Sequence, residues 1–131
     1  MRVVHLGIGA TLALVIVGVV ACVSERASGP STDLAACTAS LPSDAFGSTI
    51  VIIRDFQFTP AQVRVRAGTK VTWVNCGAPG TDSHTSTADA GTWDSPLLTP
   101  GKTFTQSFAT VGVFPYHCVP HPGMLGTVTV E

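Results

Sequence analysis

The sequence predicts an all-β domain over residues 46–131, folded as a β-sandwich or Greek-key barrel. Three observations carry this expectation. From Thr49 onward, β-branched and aromatic residues recur at alternate positions in short runs, the period of a strand with one face turned inward. Gly and Pro punctuate these runs, as turns between strands require. No convincing helical stripe of apolar residues interrupts them.

The first run, "TIVIIRDFQF", leads the domain. In "QVRVRAG", Val63 and Val65 alternate with Arg64 and Arg66, which implies one wet face. "TKVTWVN" follows, and then a long irregular stretch up to the turn at Pro100-Gly101. "KTFTQSFA" alternates again, with Phe104 and Phe108 on one side, before "GVFPYHC" and "LGTVTV" close the chain. Trp73, Trp93, Phe56 and Phe58 read as core or rim packing, because aromatic residues at strand spacing seldom need another account. A core of fewer than 90 residues is small enough to need additional staples.

The whole chain has 131 residues, a formal net charge of −1 and only 11% charged residues, so no basic excess points to nucleic acid. Much of its apolar content lies at the N-terminus. There Arg2 precedes an uncharged run from Leu6 to Val23, the pattern of an export signal. "VVAC" is similar to a bacterial lipoprotein cleavage box, in which Cys22 would become an acylated N-terminus. Ordinary cleavage after Ala21 and a retained anchor are the alternatives. We therefore expect an export signal with a lipoprotein-type cysteine over residues 1–22, and a flexible linker, rich in Ser, Ala, Thr and Pro, over 23–45. The expected location is extracytoplasmic, in the periplasm or at the cell surface, tethered to a membrane through Cys22 or the anchor.

Of four cysteines, Cys22 is assigned to lipid and Cys118 to the chemistry below, leaving Cys37 and Cys76 as a disulfide pair that an exported chain could keep. A free Cys37, or Cys76 as a metal ligand, are the other readings.

The stretch "CVPHPGM" places a thiol, an imidazole and a thioether at every third position, on a connection stiffened by Pro120 and Pro122. Such soft donors suit copper, and two imidazoles and a thiolate with a weak axial Met describe a blue-copper site. The second imidazole must come from elsewhere in the chain. His5 lies in the export segment, and strand alternation turns His117 away from the face carrying Phe114, Tyr116 and Cys118. His84, in "GTDSHTST", is left.

Through "VTWVN…SHT" and "YHCVPHPGMLGTVTV" the chain resembles the cupredoxin family, close to plastocyanin, pseudoazurin and amicyanin. The resemblance covers residues 46–131. It implies a Greek-key sandwich of about seven to eight strands and one type 1 copper ion held by His84, Cys118, His121 and Met124. It also implies a hydrogen bond from the Thr85 N–H to the Cys118 sulfur, and a role for Asn75 in pinning the loops.

The function expected is single-electron transfer between Cu(I) and Cu(II), by a monomer that meets a donor and an acceptor redox protein transiently. Electrons would leave through the edge of His121, within an uncharged patch of Pro79, Pro120, Pro122, Gly123 and Leu125. No catalytic activity is expected, since copper oxidases of this fold need further histidine clusters and only His84, His117 and His121 lie beyond the export segment. The runner-up is a copper-delivery or storage protein of the envelope. A plain adhesion-type sandwich would leave the C-x-x-H-x-x-M spacing to chance.

Overall fold

The computed structural model describes Cys37 and residues 41–131. The expected export segment with Cys22 and most of the expected linker lie outside the described residues.

Among the described residues, eight strands form two four-stranded sheets: β1 (Thr49–Arg54), β2 (Gln57–Thr59), β3 (Gln62–Val65), β4 (Thr69–Asn75), β5 (Thr87–Ala88), β6 (Thr103–Phe108), β7 (Gly112–Cys118) and β8 (His121–Val130). One sheet has the order β2-β1-β4-β6 and the other β3-β8-β7-β5, so the expected sandwich is present. β1 runs parallel to β4 and β3 parallel to β8, while the remaining neighbours are antiparallel.

Alternation decides which side chains enter the space between the sheets. Val63 and Val65 are buried and Arg64 and Arg66 are exposed, and on β7 Tyr116 and Cys118 are buried on the face opposite His117. The inner faces bring together Val51, Ile53, Val71, Trp73, Tyr116 and Val128. Trp73 meets Tyr116 edge-on at 5.3 Å between ring centres. Full burial of each such side chain contributes about 2 kcal/mol before entropy is counted.

β1 and β4 do not alternate cleanly, because they are covered on both faces. Ile52, Val74 and Cys76 form a second, outer cluster against Cys37, Leu41 and Ile50. Cys37 and Cys76 are joined as a disulfide across 39 positions. A 3-10 turn at Ser43–Ala45 then leads into β1, with Ala45 buried and Ser48 Oγ donating to Thr72 Oγ1. Among the described residues, packed structure thus reaches upstream of residue 46, with Cys37 and Leu41 of the stretch expected as linker against this apolar cluster.

Two local outcomes differ from the sequence reading. "TIVIIRDFQF" is two strands, with Arg54 paired to Gln57 across a two-residue turn. Both turn residues have positive φ, Asp55 at 51° and Phe56 at 57°, as a type I′ hairpin requires. The connection after Cys118 is also shorter than expected. Pairing resumes at once with Cys118 opposite His121, and the register shifts before His117 meets Leu125. Pro122 is tolerated there because β3 pairs with β8 only from Thr127 onward, so the missing N–H breaks no ladder bond on that edge.

Candidate metal centre

The end of β7, the start of β8 and the segment between β4 and β5 meet at one end of the sandwich. Cys118 is the last residue of β7 and is fully buried. The tight turn at Val119-Pro120 brings His121 back beside it. The residues displaced by the register shift carry Met124 into the interior, where it is 3% exposed and belongs to the same buried cluster as Cys118.

His84 reaches the site from a segment with little regular structure. Its backbone exchanges two hydrogen bonds with Leu98, at 3.1 Å from His84 N to Leu98 O and 2.7 Å from Leu98 N to His84 O. Asn75, fully buried at the end of β4, donates from Nδ2 to the carbonyls of Asp82 and Leu98 and accepts from the Gly77 N–H. One amide side chain therefore ties both approaches to His84. Downstream, Ser95 Oγ accepts from Ser86 N and the Trp93 indole donates to Ser86 Oγ.

Three donor atoms converge. His84 Nδ1 and His121 Nδ1 are 3.1 Å apart, and Cys118 Sγ lies 3.7 Å from the first and 3.6 Å from the second. The sulfur distances are too long for good hydrogen bonds. They suit a shared metal: a point equidistant from the three atoms in their plane lies about 2.0 Å from each, close to the usual metal–imidazole bond and slightly short of a metal–thiolate bond. Among the described residues these three form a group able to hold a metal ion. Two imidazoles, one thiolate and a buried thioether nearby fit copper by donor type.

Thr85 ties the two loops together. Its backbone N–H donates to Cys118 Sγ at 3.3 Å, and its Oγ1 accepts from the Val119 N–H at 2.8 Å. Burial, then the neighbouring His121, hold the His84 imidazole below its ordinary pKa of 6.5, against a weaker opposing pull from Asp82. His84 is thus neutral, and free to bind metal, at neutral pH.

All four residues singled out by their chemistry come to this end of the fold. His117 does not join them; its Nδ1 lies 2.6 Å from Asp89 Oδ1 on the other face of β7. Cys76 is held in the disulfide, which removes it as a ligand. Phe56, read from the sequence as core or rim packing, lies at the rim and stands edge-on to the rings of His84 and His121, a contact with the site that the sequence did not reveal. Its only sequence signal is an acidic residue and a bulky one at what proves to be a two-residue turn.

The family model for copper-binding proteins of the plastocyanin/azurin family matches residues 47–131. Amicyanin-alpha of Methylorubrum extorquens is 37% identical over 87 residues, covering 65% of this chain and 73% of its own. Plastocyanin of Scenedesmus fuscus is 38% identical over 84 residues, covering 56% and 86%. Among solved structures, an oxidised amicyanin variant superposes with a TM-score of 0.60 at 28% identity, covering 66% of this chain and 85% of its own. A purple cupredoxin from Nitrosopumilus maritimus does so with a TM-score of 0.58 at 28% identity, covering 64% and 100%. With the matched region spanning every donor atom of the cluster, this chain belongs to the plastocyanin/azurin family of copper-binding proteins, and its metal is one type 1 copper.

Proposed function

We propose that this protein is a blue-copper electron carrier of the cell envelope, with His84 Nδ1, Cys118 Sγ, His121 Nδ1 and the Met124 thioether as the copper ligands. The observation that carries the reading is the convergence of two Nδ1 atoms and one buried thiol within 3.7 Å of each other, with a buried methionine in the same core cluster as the thiol. Copper bound there would supply a one-electron couple between Cu(I) and Cu(II).

The protein's part is to hold one geometry that both oxidation states accept. Asn75 and Leu98 fix the His84 segment, Thr85 fixes the turn after Cys118, and β7 and β8 clamp the other two ligands. Burial of Cys118, His84 and Met124, at 0%, 4% and 3% exposure, favours electron carriage over handing copper to another protein. His121 is the partly exposed ligand; Pro120, Pro122, Gly123 and Leu125, its neighbours in sequence, are exposed, as is Pro79 in the groove lined by Phe56 and His84. This uncharged patch suits brief docking of a redox donor or acceptor, with rates only mildly dependent on salt.

The Cys37–Cys76 disulfide supports an oxidising compartment. With the export segment over residues 1–22, it favours an extracytoplasmic monomer, tethered through Cys22 as a lipoprotein or through an uncleaved anchor. Adding Cu(II) to the purified protein tests the central reading. Intense visible absorption from thiolate-to-copper charge transfer is expected, and it should vanish in Cys118→Ser. A colourless Cu(I) complex as the only bound form would instead mean delivery or storage.

A further inference from the structure

We propose that Phe56 is a positioning residue of the copper centre, a ring carried on a strained turn to brace both imidazoles and shield them from water. This rests on copper ligation by His84 and His121.

Phe56 occupies the second central position of the β1–β2 turn with φ of 57°. Type I′ turns favour Gly there, because a side chain in the left-handed region crowds its own backbone; for a bulky residue such a φ is an outlier. Strain of this kind persists where the surroundings impose it, and it clusters at functional sites. Core burial does not explain the choice, since the residue remains 52% exposed.

Its contacts do. The ring lies 4.9 Å from that of His121 at 84° between planes, and 5.8 Å from that of His84 at 81°. These are edge-to-face arrangements with both residues that present Nδ1 to the centre. Phe56 also separates two grooves. One is lined by Arg54, Pro79, Asp82 and His84, the other by Phe58, Gly123, Met124 and Leu125, and Phe56 lines both. Removing the ring would take away the wall shared by the groove at His84 and the groove at Met124, and would uncover the face of His121 against which it stands, opening a path for water and small molecules to the ligands. The turn therefore gives up backbone comfort to keep the centre covered.

The backbone preference supplies a discriminating variant. Phe56→Gly suits the left-handed φ, so the copper-free protein should melt no lower than its parent, whereas release of copper should accelerate. Two edge-to-face contacts are of a size to change the population of an opened site about tenfold. Transfer of Cu(I) from the full-length protein to excess bathocuproine disulfonate should be about tenfold faster in Phe56→Gly and near the parent rate in Phe56→Tyr, which keeps the ring. The chelator needs no docking surface, so a role of Phe56 in partner binding would leave this rate unmoved. In the copper-free protein, the His84 and His121 ring-proton resonances should lose their ring-current displacement in Phe56→Gly and keep it in Phe56→Tyr.

Unchanged release and unchanged imidazole resonances in Phe56→Gly would overturn the proposal, as would equal acceleration in Phe56→Tyr. If the parent took up no copper at all, the ligand assignment would fail, while the imidazole resonances would still decide whether the Phe56 ring lies against the two imidazoles in solution.

Discussion

The Thr85 N–H donates to Cys118 Sγ at 3.3 Å, across 33 positions of sequence. The same residue's hydroxyl accepts the Val119 N–H, so Thr85 holds both the sulfur and the turn that follows it. A donor aimed at sulfur draws electron density from it, which favours the more electron-rich, reduced state and raises the potential. Thr85→Ala leaves the partly buried Val119 N–H without its acceptor and loosens that alignment. We expect the midpoint potential to fall by about 40 mV, the one-electron equivalent of roughly 1 kcal/mol of hydrogen bonding. Thr85→Ser should restore it. A potentiometric titration showing no difference between the parent and Thr85→Ala would contradict this role.

The disulfide acts on the chain rather than on the centre. Cys37 and Cys76 close a loop across 39 positions, which in the chain-entropy view stabilises the fold by about 4 kcal/mol. Replacing both cysteines by serine should lower the unfolding free energy of the copper-free protein by up to that amount, read by denaturant titration. The visible spectrum of the copper-loaded form should be unchanged, because Asn75 rather than Cys76 holds the His84 segment. A bleached or shifted spectrum would show that the crosslink also shapes the site.

Asn75 should behave in the opposite way. Its fully buried amide serves the carbonyls of Asp82 and Leu98 and the N–H of Gly77. Asn75→Ala takes the partner from the Asp82 carbonyl and the Gly77 N–H and leaves the Leu98 carbonyl with the His84 N–H alone, and buried unsatisfied partners cost about 1–3 kcal/mol each. We expect a loss of roughly 3 kcal/mol in stability, together with heterogeneous copper signals in electron paramagnetic resonance as His84 loses its support. Asn75→Asp should not rescue, because a carboxylate cannot donate to the Leu98 carbonyl. Rescue by Asp would place the role in packing alone.

These residues also show what the sequence made legible. Cys118, His121 and Met124 are close in sequence, so their shared spacing exposed them together; His84 followed as the remaining imidazole once strand alternation set His117 aside. Strands with one wet face, such as that of Val63 and Val65, were plain from their period. β1 and β4 were not, since Ile52 and Val74 are covered from outside by Cys37 and Leu41, from a stretch whose composition reads as linker. The turn at Asp55-Phe56 was hidden because it lacks the expected glycine. The excursion from Ser86 to Leu98 has no period to detect, as it is held by isolated bonds such as Trp93 Nε1 to Ser86 Oγ. Contacts between separate turns, like that of Phe56 with His121, leave no local pattern.

Tyr116 offers a readout of the core beside Cys118, one of the proposed copper ligands. It is the chain's one tyrosine and lies two positions before Cys118, on the same face of β7. It is 1% exposed, wedged edge-on against Trp73 and Phe58. Burial pushes its phenol from 10.0 up to about 12. The folded state therefore favours the neutral form. Tyr116's contribution to stability is complete below the unfolded pKa of 10.0 and is lost as pH rises from there toward 12. Phenolate absorbance of the folded protein should show half-ionisation near 12, and unfolded protein near 10. The ring lies directly over Gly126, where an added Cβ would fall 2.2 Å from Tyr116 Cζ. Gly126→Ala must then displace the ring, at a cost of about 1–3 kcal/mol or more, and the phenol should titrate closer to its ordinary value. An unaltered titration and unaltered stability in Gly126→Ala would mean that the ring is not confined between the sheets as its contacts indicate.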